Sequence, residues 1–132
     1  MAAFLFDSHA LLAFFQGETG AERVMQYLKK TQNSGIAPLI CAINLGEIIY
    51  LTKRRFGDAK KIEILGRIHQ LSFNIIPATN DLVFEAAEIK AEYPISYADS
   101  FAVACAKGQS AEIVTGDPDF KKVEHLVKVH WI

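Results

Sequence analysis

Four carboxylic acids in this 132-residue chain stand where an acid is costly or conspicuous. Asp7 ends the apolar run Ala3-Phe4-Leu5-Phe6, where a strand would hand over to a helix. It has an ordinary use there as an N-cap, accepting from free helix N–H groups. Asp99 closes Ser96-Tyr97-Ala98-Asp99, the spacing of a capping box. Yet Ala102, Val103 and Ala106 follow it at helical spacing, so Asp99 begins a buried stripe and is aimed at a sheet edge rather than open water. Asp117-Pro118 reads as an N-cap followed by proline at the first helical position. Asp119 competes with Asp117 as the acid that reaches a site. Glu47 is the hardest to explain away. It lies inside Ile43-Asn44-Leu45-Gly46-Glu47-Ile48-Ile49-Tyr50-Leu51, with Ile43 and Leu51 one turn to either side. A buried lone carboxylate is costly unless paired or bound to a metal. Arg54, farther along the same helix side, is the alternative partner.

Each of these acids has a structural explanation on its own; together they ask for a cation. Two carboxylates 4 Å apart repel by about 4 kcal/mol at an effective dielectric of ~20. Oxygen donors without Cys or His select a hard ion such as Mg²⁺ or Mn²⁺. The chain carries a net charge of −1, which excludes a broadly basic nucleic-acid coat. Contact with nucleic acid would need local charge or a metal. Lys53-Arg54-Arg55 is the first candidate to hold phosphates and Lys121-Lys122 the second. Either run also suits a solvated helix end that complements the dipole.

The elements that must position these residues follow from apolar spacing. Strands are expected at Ala3–Phe6, Ile36–Ile40, Phe73–Ile76, Glu112–Thr115 and Leu126–Val129. Helices are expected from Leu11 to Phe15, Ala21 to Thr31, Ile43 to Arg55, Ala59 to Leu71, Asp81 to Ala91 and Ser96 to Lys107, with a short turn at Pro118–Lys122. Short apolar strands alternating with helices predict an α/β fold with a central parallel sheet of four to five strands, covered on both faces. Sites in such sheets lie at the carboxyl ends of the strands, where their order reverses. Residues 1–132 are expected to form one domain.

Composition excludes several classes. With 51% hydrophobic and 22% charged residues, the chain is not disordered. Cys41 and Cys105 sit among apolar neighbours without zinc spacing, so they read as small buried hydrophobes in a reducing cytoplasm. Met1–Phe15 has no basic region and is interrupted by Asp7, so it is expected to be a first strand running directly into a helix rather than a signal peptide. No apolar run approaches the ~20 residues of a membrane helix. Phe14, Phe15 and Tyr27 form either an exposed docking patch or part of the core. A serine hydrolase elbow is absent. A receiver domain would want Lys where the late strand ends in Val114-Thr115-Gly116, and an aspartate phosphatase would want Asp at His9.

Phe4-Leu5-Phe6-Asp7-Ser8, Glu47 in its apolar helix, Tyr97-Ala98-Asp99-Ser100, and Thr115-Gly116-Asp117-Pro118-Asp119-Phe120 together resemble the PIN domain. The likeness is greatest to the VapC-type ribonuclease toxins of prokaryotic toxin–antitoxin pairs. It spans essentially the whole chain, in order and spacing. It implies a three-layer α/β/α sandwich and divalent-metal-dependent cleavage of single-stranded or looped RNA. Asp7, Glu47, Asp99 and Asp117 become the acidic site by this resemblance, with Asp7 and Asp99 the most direct ligands of Mg²⁺ or Mn²⁺. Ser8 and Thr115 match hydroxyls near metal or phosphate. An antitoxin partner and a homodimer are implied by the family. The sequence departs from the pattern at His9, where Ser or Thr is common. Gly46 is also unusual inside a helix, where it costs up to ~1 kcal/mol relative to Ala, and is expected to admit a close backbone approach. A non-catalytic PIN-like module that holds RNA or a protein is the alternative.

Overall fold

A computed structural model describes residues 2–132. Its centre is set by strands too apolar to face water. In β1 (Ala3–Phe6), Phe4, Leu5 and Phe6 are all buried. In β4 (Ala111–Thr115), Ile113, Val114 and Thr115 are fully buried. A strand covered on both faces belongs to a parallel sheet with helices above and below. The described sheet has five strands in the order β3-β2-β1-β4-β5, with β2 at Leu39–Cys41, β3 at Asn74–Ile76 and β5 at Val129–Trp131. Every pairing is parallel, and β1 runs in register with β4 from Ala3↔Ala111 to Phe6↔Val114.

Alternation along the strands makes the layers. Leu5 and Ile113 join one apolar cluster, while Phe4, Phe6 and Val114 join the other. The first cluster packs against α5 (Asn80–Glu92) and α6 (Tyr97–Gly108); every residue of α6 from Ser100 to Ala106 is buried. The second packs against α1 (Ser8–Phe15), α2 (Ala21–Ser34), α3 (Ala42–Phe56) and α4 (Asp58–Gln70). The architecture is therefore the expected three-layer α/β/α sandwich. The chain builds β1, β2 and β3 outward in one direction, then returns to place β4 on the other side of β1. That reversal puts the carboxyl ends of β1 and β4 side by side.

Two strands sit later than apolar spacing predicts. β2 begins at Leu39 rather than Ile36, because Pro38 has no N–H to donate and offers only its carbonyl, to the Asn74 N–H. β5 begins at Val129 rather than Leu126, whose N–H closes a turn onto the Val123 carbonyl. Cys41 and Cys105 are buried free thiols. Phe14, Phe15 and Tyr27 do not form an exposed patch. Phe15 is buried, Phe14 packs on the same core, and Tyr27 lies edge-on to Phe4 and bonds His130 at 3.3 Å. Gly46 meets no close backbone: a Cβ there would find nothing within 4 Å. No helix of the described residues is long and apolar enough to cross a membrane.

Candidate active site

Asp7 follows β1 directly and is only 2% exposed. Its Oδ1 accepts the Ala10 N–H at 2.8 Å, so it does cap α1. Its Oδ2 accepts the Thr115 hydroxyl at 2.5 Å, from the end of β4. The same Thr115 oxygen accepts the Asp117 N–H at 3.0 Å, and Asp117 Oδ1 accepts the Asp119 N–H at 2.9 Å. Asp117 thus caps the short 3₁₀ turn Pro118–Val123, with proline where a missing N–H does no harm. One hydrogen-bonded chain therefore joins the two strand ends and carries three of the acids.

Asp99 enters from the first turn of α6, whose start is fixed by its own N–H bonding Ser96 Oγ at 3.1 Å. Carboxylate oxygens of Asp99, Asp117 and Asp119 lie within 4.8 Å of one another. Asp119 also pairs with Lys122 at 3.1 Å. Glu47 comes from α3. It is half-buried rather than buried, and its partner is not Arg54. Its Oε1 accepts Ser8 Oγ at 3.0 Å and Asn44 Nδ2 at 3.3 Å. Asn44 is 1% exposed and also donates to the Ala98 carbonyl at 3.3 Å, tying α3 to the start of α6. Sequence reasoning missed Asn44. Its signal was a polar residue one helical turn before Glu47 within an apolar run.

The electrostatics report the same convergence. Burial pushes the Asp7 carboxyl up to about 7, against the hydrogen bonds from Thr115 and Ala10, and the charges of Asp99 and Asp117 push the same way. Asp99 is raised to about 6, first by burial and then by Asp117, with Glu47 and Asp119 adding and Ser96 opposing. Each acid is thus ionised only at a cost that a cation would offset. Hard oxygen donors alone, spaced near twice a cation–oxygen distance of ~2.1 Å, fit a small divalent ion. Asp99, Asp117 and Asp119 form the tight group, with Asp7 and Glu47 flanking it.

Arg54 and Arg55 do not join the acids. Both are exposed at the end of α3, on the wall of an adjoining groove of ≈ 1100 Å³. Arg54 lies over the Tyr50 ring at 5.1 Å, and Arg55 reaches Gln16 at 3.3 Å and Glu18 at 3.8 Å. Lys53 pairs with Asp58 at 3.4 Å. Lys122 is held by Asp119 and by the Pro94 carbonyl.

A sequence model of the PIN domain matches residues 4–126, so the chain belongs to the PIN domain family. Among curated protein sequences nothing matches. Among solved structures, the chain is similar to VapC20 of Mycobacterium tuberculosis, described as a sarcin-ricin loop cleaving toxin. The two share 18% identity and a TM-score of 0.74 over 92% of this chain and 95% of that one. It is also similar to VapBC2 of Rickettsia felis bound to a promoter DNA fragment, at 15% identity and a TM-score of 0.80 over 97% of each chain. FitAcB of Neisseria gonorrhoeae shares 22% identity and a TM-score of 0.69 over 96% of this chain and 95% of that one. These likenesses show a common fold.

Proposed function

We propose that the protein is a divalent-metal-dependent endoribonuclease, the toxin of a toxin–antitoxin pair, working in the cytoplasm with Mg²⁺ or Mn²⁺. The observation that carries this reading is the convergence of five carboxylates where the strand order reverses. Asp99, Asp117 and Asp119 would hold the ion, with Asp7 beside them. When bound, the ion lowers the pKa of a water and offsets charge on the scissile phosphate. Glu47 has one oxygen fixed by Ser8 and Asn44. Its other oxygen is left to take a proton from the attacking water as general base. Thr115 fixes the Asp7 carboxylate and the Asp117 backbone together, so the acids present one rigid set. Arg54 and Arg55, on the wall of the adjoining groove, supply local positive charge in a chain whose net charge is −1. An antitoxin completes the proposed assembly, VapBC2 and FitAcB sharing the fold, and a second copy of the chain is what the family resemblance implies.

Asp7→Asn and Asp99→Asn test the assignment. Each keeps the side-chain shape and removes the charge. Each should abolish RNA cleavage with an unchanged circular dichroism spectrum. Full activity in either folded variant would overturn the assignment.

A further inference from the structure

Three of the acids are each pinned through one carboxylate oxygen, which leaves the other to face a ligand. Asp117 Oδ1 accepts the Asp119 N–H at 2.9 Å, and Glu47 Oε1 accepts Ser8 and Asn44. Asp119 is held in the same way, but by a charged side chain: Lys122 Nζ donates to its Oδ1 at 3.1 Å. The turn Pro118–Val123 makes this pair. Phe120 and Val123 are fully buried and anchor the turn. Side chains at i and i+3 eclipse in a 3₁₀ turn, which stacks Lys122 on Asp119.

An exposed ion pair on its own contributes little, and these two side chains are 44% and 49% exposed. A second acceptor sets this pair apart. The same ammonium donates to the Pro94 carbonyl at 3.2 Å. Pro94 is followed by Ile95, which is buried, and by Ser96, whose hydroxyl caps α6 and so sets the position of Asp99. One ammonium therefore ties Asp119 to the loop that fixes Asp99. The same two segments meet once more beside it, where Tyr93 Oη and His125 Nε2 lie 3.0 Å apart in a contact that involves no acid.

We infer that Lys122 is a positioning residue of the candidate metal site: by bridging Asp119 to the Pro94 carbonyl it holds one oxygen of Asp119 and presents the other beside Asp99 and Asp117. The inference rests on the metal-dependent reading of the site. It also commits Lys122 to an acid rather than to a phosphate. Two effects compete at this position. The ammonium repels an incoming cation, an effect that water weakens around an exposed side chain. It also orders a carboxylate that the cation needs held, and partners of that kind typically contribute about 10- to 100-fold to metal affinity. The Pro94 anchor makes the ordering the larger effect.

The test is calorimetric titration of Mn²⁺ alone into the full chain, without RNA, with the melting temperature of each metal-free variant recorded beside it. Lys122→Met should weaken Mn²⁺ binding about tenfold while the metal-free protein stays folded. Lys122→Arg should restore the affinity, because its fork offers donors to both acceptors. Tyr93→Phe cuts the neighbouring tie and should leave the affinity unchanged. In an Asp119→Asn background, Lys122→Met should cost nothing further, since the pair acts through that one carboxylate. Unchanged or tighter binding in Lys122→Met overturns the inference, tighter binding meaning that the ammonium is only a competing charge. An equal loss in Tyr93→Phe overturns it too, because docking of the two segments would then suffice. So does a further loss in the Asp119→Asn background, or a failure of Lys122→Arg to rescue. Wild-type protein that binds Mn²⁺ while Lys122→Met binds it equally well sinks only the role of Lys122. Wild-type protein that binds no Mn²⁺ sinks the metal-dependent reading itself, and the role of Lys122 with it.

Discussion

Asp7 serves two ends that pull in opposite directions. As a cap it accepts one hydrogen bond that α1 needs, and in the proposed metal site it would have to be ionised while almost wholly buried. Its folded pKa of about 7 lies above the ordinary carboxyl value of 3.8. The folded state therefore keeps a proton that the unfolded state has already released. The associated stability is present below about pH 4 and is lost as pH rises through about 7, each tenfold change in proton affinity being equivalent to about 1.4 kcal/mol. Asp99, raised to about 6, acts in the same sense. Metal-free Asp7→Asn should consequently melt higher than wild type at about pH 8, with the gap closing near pH 4. Thermal melts at the two pH values check this, and a lower melting temperature for the variant at both would contradict it. Asp7 and Asp99 were legible in the sequence because strand–helix junctions and helix stripes are periodic features. Glu47's partner was not. Arg54 has the right spacing along α3, but Ser8 and Asn44 occupy the carboxylate, and Ser8 arrives from another element.

At the scale of elements, α3 carries a cost with no visible return. Gly46 has open space around its Cα and an ordinary helical backbone. Gly46→Ala should therefore stabilise the protein by about 0.5–1 kcal/mol in a denaturant titration. A loss of stability would mean that a neighbour needs the space beside Gly46. Asn44 is the reverse case, one buried side chain linking α3 to α6. Asn44→Ala should slow RNA cleavage by about 10- to 100-fold, because it frees the Glu47 carboxylate proposed as general base and such orienting partners typically contribute that much. An unchanged rate would assign Asn44 to packing alone. The helices were legible from their apolar stripes, as were the caps Ser96 and Asp117, because those signals are local. The starts of β2 and β5 were not. A proline without its N–H and a turn closed by Leu126 displace them, and strand limits depend on which neighbour offers a ladder.

Across the whole molecule, the site is a consequence of topology. Asp7 and Thr115 are 108 residues apart, yet they touch because β4 returns to the far side of β1. The alternation of short apolar strands with helices pointed to a parallel sheet with a site at the carboxyl ends of its strands, but not to the strand order that brings β4 beside β1. The groove was not foretold, since it depends on how the ends of α1 and α3 meet the last strand. The central claim is that these acids hold a divalent ion with which the chain cuts RNA. Cleavage of a panel of structured RNAs by purified protein, with Mn²⁺ or Mg²⁺, with EDTA, and beside Asp99→Asn, tests it most directly. Cutting that requires the metal, stops in EDTA and is absent from the variant is the predicted result. No cutting together with no metal binding would contradict the account and leave a non-catalytic PIN domain.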